Sequence, residues 1–378
     1  MRQIKREDTP TPPAVYYADP RTRSHEESKI SKIARLCDAL PLKKCVKKND
    51  LTAVKIHFGE LGNDTYVNPA FVRQIVDKVK AAGGKPFLTD SATLYSGSRR
   101  NAVDHLRTAY MHGFAPSVVD APIIIADGIY GENDVAVRIN CKRFKEVHIA
   151  REIRRAPSMV VVSHFKGHEM AGFGGAIKNL AMGGASPRGK RAQHATHVGV
   201  DKTACTGCGK CVKACPQKAL SLSGGKCAAD VGRCIGCFEC ITVCPTKAVD
   251  MDWATELVPF MERLTEYAYG TVKGREKSVC YINFALNITP DCDCAAWSDV
   301  HLAPDIGILA SHDPVALDQA CFDLVKAAPG LNPGTPEMRL KTDFDKFAER
   351  WPKTRGEIQL SYGEEIGLGS RQYKLVKI

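Results

Sequence analysis

The sequence predicts an α/β protein, a largely parallel sheet with flanking helices, interrupted by a small cysteine-rich α+β insert. Three observations predict it. Short apolar strands alternate with amphipathic helical stretches from Leu51 onward. Eight cysteines form two matching sets between Cys205 and Cys244. The α/β patterning then resumes. Residues 1–195 read as the first part of the α/β domain, with 1–20 as a loose arm, 196–252 as the insert and 253–378 as the second part.

Leu51 to Phe58 reads as a strand. Asn68-Pro69 forms an N-cap and first-turn pair, and Phe71, Val72, Ile75, Val76 and Val79 then mark one helical face. Gly83-Gly84 stops that helix, and Pro86 to Thr89 is the next strand. A helix near Arg99 to His112 follows, then apolar runs at Ile123 to Ala126 and Met159 to Val162. Ser186-Pro187-Arg188-Gly189-Lys190 reads as a linker into the insert. Beyond the insert, Leu257, Phe260, Met261 and Leu264 return to helical spacing, and Ile306 to Ala310 reads as a strand. Asp313-Pro314 caps a helix whose apolar face is Leu317, Ala320, Cys321, Leu324 and Val325. Strand alternating with helix implies parallel strands covered on both faces.

The 378 residues are 44% hydrophobic and 25% charged, which excludes wholesale disorder. No uncharged apolar run reaches the length of about 18 residues that a spanning helix needs. The N-terminus is charged and proline-rich and lacks an apolar core, so a cytoplasmic protein without membrane association is expected. Lys plus Arg is 53 and Asp plus Glu 42, a formal charge of +11. The basic residues are dispersed, so nucleic acid is not an expected partner.

Sixteen cysteines in a chain of this kind point to metal rather than disulfides. Cys205, Cys208, Cys211 and Cys215-Pro216 form C-x2-C-x2-C-x3-C-P, and Cys234, Cys237, Cys240 and Cys244-Pro245 repeat it. In this pattern the fourth cysteine of each run ligates the other cluster. Cys205, Cys208, Cys211 and Cys244 are thus assigned to one [4Fe–4S] cluster, and Cys234, Cys237, Cys240 and Cys215 to a second. Glycines 207, 209 and 236 let backbone amides approach the sulfurs. The alternative, zinc, is usually built from two C-x2-C pairs with a longer spacer. Cys227 has no spacing partner and reads as a packed thiol. The insert resembles bacterial two-cluster ferredoxins over its whole length, which implies low-potential one-electron transfer.

Polar residues of the α/β part collect after the strands: His57, Asp90, Asp127, the stretch from Ser163 to His168, and His312-Asp313. Ligands of open parallel sheets bind beyond the strands' carboxyl ends, so these residues are expected to share a cleft. For Asp313, before a proline, helix capping is the stronger expectation. The segment His164 to Gly184 offers His164, Lys166, His168 and Lys178 as candidate catalytic groups. It also holds a glycine-rich turn, with Gly172, Gly174 and Gly175, that opens a helix at Ala176 and suits an anion. The competing role is a tight turn with exposed basic residues. Cys292 and Cys294, in Asp291-Cys-Asp-Cys, would face one side of a strand. They could bind an additional metal, form a redox pair or supply a thiolate to a cluster. A reduced pair without chemistry is the alternative. Cys37, Cys45, Cys141, Cys280 and Cys321 read as isolated thiols.

Three stretches together, VKIHFGE, HFKGH…GG…KN and CDC…SD…DIGILASHDPVALDQA, resemble the family called domain of unknown function 362. That resemblance implies an α/β fold and iron–sulfur binding and names no substrate. The segment from His168 through Gly172 and Gly175 to Lys178 also looks like part of the nickel-pincer lactate racemases. That likeness would make His168 a nickel ligand and Lys178 the attachment point of a covalent cofactor.

Two function classes follow, with a third behind them. In one, the insert delivers electrons to a small-molecule substrate or cofactor site in the α/β domain. In the second, the protein is a non-catalytic carrier that docks onto a partner oxidoreductase. The third is a metal or cluster assembly factor. No flavin or nicotinamide fingerprint is visible, so a redox partner protein is expected to supply or take the electrons.

Overall fold

A computed structural model describes residues 11–95, 97–195, 198–234, 236–237, 239–251, 253–331 and 341–378. Its centre is a seven-stranded sheet of β1 (Ala14–Ala18), β2 (Leu51–Lys55), β3 (Lys85–Thr89), β4 (Ser158–His164), β5 (Val279–Ala285), β6 (Gly307–Ser311) and β7 (Lys374–Lys377). The order across the sheet is β7-β1-β6-β5-β4-β2-β3. Strands β3, β2, β4 and β5 are parallel. Strand β6 runs against both of its neighbours, while β1 and β7 are parallel to each other.

The central strands are buried on both faces, which is why they read as unbroken apolar runs rather than alternating ones. Their side chains still divide by the two-residue period. Val54, Val160, Val162 and Ile282 join one core, while Ala53, Met159, Val161 and Tyr281 join the other. Helices α1 (Lys29–Ala39), α2 (Pro69–Ala81) and α3 (Ala102–Met111) cover the first face. Helices α4 (Ala176–Gly184), α5 (Pro187–His194), α6 (Trp253–Val272) and α7 (Pro314–Ala327) lie on the second side. Local sequence explains the starts. Asn68 accepts from the Ala70 amide, and Asp313 accepts from those of Val315 and Ala316, each with proline in the first turn.

Three expectations are corrected. Ala14–Ala18 is not part of a loose arm but a strand between β6 and β7; residues 1–10 of the expected arm lie outside the described residues. Ser186 to Lys190 is not a linker. Ser186 caps α5 by accepting from Gly189, Pro187 takes its first turn, and Lys190 and Gln193 are buried. His312 and Asp313 do not reach the cleft, because β6 is the reversed strand and its carboxyl end lies at the opposite end of the strands, beside their amino ends. There His312 Nδ1 lies 3.4 Å from the sulfur of Cys45, which also hydrogen-bonds Cys280.

The insert is a small α+β unit. Val198–Val200 pairs with Val249–Met251 at its base, and Leu220–Ser223 pairs with Lys226–Ala229 in a hairpin. Two short helices, Lys210–Ala214 and Glu239–Thr242, follow the two cysteine loops. Val198, Leu220 and Met251 share one apolar core with Phe260 of α6, so the insert is rooted in the body.

Candidate functional site

The carboxyl ends of β2, β3, β4 and β5 meet in a buried cluster of polar side chains, at the place where a strand-end cleft is expected. Lys55 ends β2, Asp90 follows β3, His164 ends β4, and the loop after β5 carries Cys292, Asp293 and Cys294. Lys55 Nζ lies 3.0 Å from Asp90 and donates to Asn179 of α4 at 2.6 Å. Arg99 reaches Asp90 at 3.7 Å, Glu60 at 3.2 Å and His57 Nε2 at 3.2 Å, and Tyr95 links it onward to the carbonyl of Cys294. Burial alone would raise the Asp90 carboxyl, but Lys55, His57, His105 and Arg99 hold it well below the usual carboxylate range.

A second ion pair stands on the other side. Asp293 lies 2.9 Å from His164 Nδ1 and 3.4 Å from Lys166 Nζ, and its carboxyl is likewise held low against burial. Lys166 belongs to a short hairpin, Lys166–His168 with Gly172–Gly174, that leads from β4 into α4. The other end of that hairpin strand carries His168. The ligand atoms of His168, Cys292 and Cys294 lie within 4.8 Å of one another, and Lys178 Nζ is 3.5 Å from Cys292 Sγ. All four candidate catalytic residues, His164, Lys166, His168 and Lys178, are therefore drawn to Asp293 or Cys292.

The cysteine pair is not on a strand. It sits in a loop where the amide of Ala295 turns back onto Cys292. Chain reversal, not the two-residue period, brings the sulfurs together. The glycine turn also differs from expectation. Asp318 of α7 takes the amides of Ala176 and Ile177 at 2.8 and 2.9 Å, so the helix start holds the chain's own carboxylate rather than a foreign anion. Gly175 is glycine because a Cβ there would stand 2.4 Å from Asp318 Oδ1. Gly172 has φ +74° and abuts the backbone of Gly356, and Gly174 packs on Lys178.

Sequence reasoning missed Lys55, Glu60, Tyr95, Arg99, Asp293 and Asp318. Two left a signal: a lysine inside the apolar strand LTAVKIHF and an aspartate inside the apolar helix VALDQA. Neither has a cheap reason to be buried unless it is paired.

In the insert the eight cysteines sort into two cavities. Cys205, Cys208, Cys211 and Cys244 line the first, with Cys227 beside them. Cys215, Cys234, Cys237 and Cys240 line the second. Gly207, Gly209 and Gly236 all take left-handed backbone, with φ +69°, +70° and +62°.

The family model described as Domain of unknown function (DUF362) matches residues 52–323. The chain belongs to that family. The DUF362 span runs from β2 into α7, so the cleft loops and the whole insert lie inside it. Among solved structures the chain is similar to the lactate racemase apoprotein from Thermoanaerobacterium thermosaccharolyticum, at 14% identity and a TM-score of 0.37 over 72% of this chain. It spans about half of that protein, 51%. No curated protein matches the chain.

Proposed function

We propose that this DUF362 protein is an iron–sulfur electron-transfer protein, holding two [4Fe–4S] clusters in the insert and feeding electrons to a reduction in the strand-end cleft. The sorting of the cysteines carries this. Each cavity takes three sulfurs from one run and the fourth from the other, the crossover that two-cluster proteins use. Bound in such a cavity, a [4Fe–4S] cluster supplies one-electron transfer at low potential. A zinc site built from two closely spaced pairs would not need three cysteines from one run and one from another.

The chain's own part is to hold and shield thiolates. Cys205 Sγ accepts from the Cys227 amide at 3.3 Å and Cys215 Sγ from the Ala219 amide at 3.2 Å, donors that favour anionic sulfur. Leu222 and Val249 at the first cavity, and Val198 and Leu220 at the second, keep water back. In the cleft, Lys55, Asp90, Arg99 and Asp293 are buried charges. A scaffold that only docked a partner has no use for their desolvation cost, which favours a reductase over a plain carrier. A partner redox protein is the source of electrons in this scheme.

Iron and acid-labile sulfide in protein purified without oxygen test it. The expected content is about eight irons per chain, with a paramagnetic signal on reduction. Zinc in place of iron, or no metal at all, would overturn it.

A further inference from the structure

We propose that Cys292 and Cys294 are a thiol–disulfide redox pair, the two-electron centre of the cleft, and that its substrate class is a disulfide. The electrons are those of the proposed clusters, so the source, though not the pair itself, rests on the preceding proposal.

The three-residue group of His168, Cys292 and Cys294 has a donor set that a metal could use, and the histidine decides between the two chemistries. His168 Nδ1 accepts from the amides of Met170 and Ala171, both at 3.1 Å. With Nδ1 taken by those two amides, the N–H left to a neutral ring is on Nε2, and the hydrogen bond by which His168 lowers the Cys292 thiol needs such a donor. A metal-bound histidine presents a bare nitrogen to the ion and donates from the other one. Here the pattern is inverted, and the ring faces sulfur as a donor.

The surroundings of the two sulfurs differ. Cys292 is buried and receives the Lys178 ammonium at 3.5 Å, with Lys166 beyond it. The hydrogen bond from Cys294 leads in stabilising its thiolate, with the two lysines and His168 adding to it against burial. Cys294 keeps its proton, which it donates to Cys292, and burial adds to the same effect. One thiolate and one thiol in hydrogen-bond contact are the reduced form of a reactive dithiol. Cys294 is half-buried and is followed by the exposed Ala296 and Trp297, so the pair meets solvent on its side.

The chemistry balances without another cofactor. Cys292 thiolate, Cys294 thiol, a disulfide RSSR and one proton give the Cys292–Cys294 disulfide and two RSH. Two electrons, delivered one at a time by the reduced clusters, and one proton then restore thiolate and thiol. The net reaction is RSSR with two electrons and two protons giving two RSH.

The test uses the whole chain, purified without oxygen, and bis(2-hydroxyethyl) disulfide as the probe. Peptide mass spectrometry should show the segment carrying Cys292 and Cys294 lighter by two hydrogens and resistant to alkylation. Photoreduction of the clusters should return both residues to alkylatable form. Cys294→Ser should instead trap a mixed disulfide on Cys292, and Lys178→Met should slow Cys292 alkylation at neutral pH by about tenfold. Absence of the linkage in protein with full iron content sinks the pair and leaves the clusters standing. A linkage formed in protein without iron keeps the pair and sinks the cluster proposal. A stoichiometric metal in wild type that Cys292→Ser loses would replace the redox pair with a metal centre.

Discussion

Lys55 and Asp90 face each other at 3.0 Å from the ends of adjacent strands, both fully out of water. Strand register makes the contact, since Lys55 of β2 pairs directly with Thr89 of β3. Each charge is affordable in the interior only through the other, and through Arg99, Asn179 and Glu60 around them. Lys55→Met should therefore lower stability by about 3–5 kcal/mol, because it strands a buried carboxylate. Lys55→Met with Asp90→Leu should cost less than the sum of the single changes. Urea unfolding at neutral pH reads both, and additivity would show that the pair is not coupled.

Much of the fold was legible in the sequence, whereas most of this buried charge network was not, and what was missed has a common cause. Asn68-Pro69 and Asp313-Pro314 announce helix starts because a cap is settled within four residues. The lysine in LTAVKIHF and the aspartate in VALDQA announce a buried charge but not its partner. Asp318 closes α4, and the sequence around Asp318 contains nothing of α4. Ala14–Ala18 becomes a strand only because β6 and β7, from the far end of the chain, flank it. The reversal of β6 depends on the same long-range pairing, and it alone takes His312 away from the cleft. Cys292 and Cys294 were singled out by spacing, yet a loop and not a strand unites them with His168.

His105 gives a pH signature. It is fully buried, neither ring nitrogen has a hydrogen-bond partner among the described residues, and burial drops it to about 3. A histidine depressed in the folded state binds its proton more readily when unfolded. Its contribution is thus complete above the unfolded value near 6.5 and is lost as the pH falls. The loss should run at roughly 1.4 kcal/mol per pH unit between pH 6 and pH 4. Asp127 and Asp318, both raised by burial to about 6, act in the opposite sense in that window. The readout is therefore the difference between wild type and His105→Leu. Stability of the variant should fall less steeply with acid, and parallel curves would refute the assignment.

Gly175→Ala tests the closure of α4. The added Cβ would meet Asp318 Oδ1 at 2.4 Å, and Asp318 is also fixed by Asn283 at 2.7 Å. The carboxylate cannot retreat without giving up the amides of Ala176 and Ile177. A loss of about 1–3 kcal/mol is expected, typical of overpacking. Lys178 lies in the same first turns of α4, so alkylation of Cys292 should change as well. A variant with unaltered melting temperature would mean that Asp318 is not held where it stands.

The crossing of the two cysteine runs makes the sharpest prediction for the insert. Cys244 lies in the second run but on the wall shared with Cys205, Cys208 and Cys211, while Cys215 lies in the first run and faces Cys234, Cys237 and Cys240. Under the iron–sulfur proposal, Cys244→Ser should perturb the same centre as Cys208→Ser, though it belongs to the other run. Cys215→Ser should match Cys237→Ser. Paramagnetic resonance of the reduced variants distinguishes the two groupings, because each variant should leave one centre's spectrum intact. If Cys244→Ser instead groups with Cys237→Ser, each run holds its own metal, and the crossover that supports two [4Fe–4S] clusters falls with it.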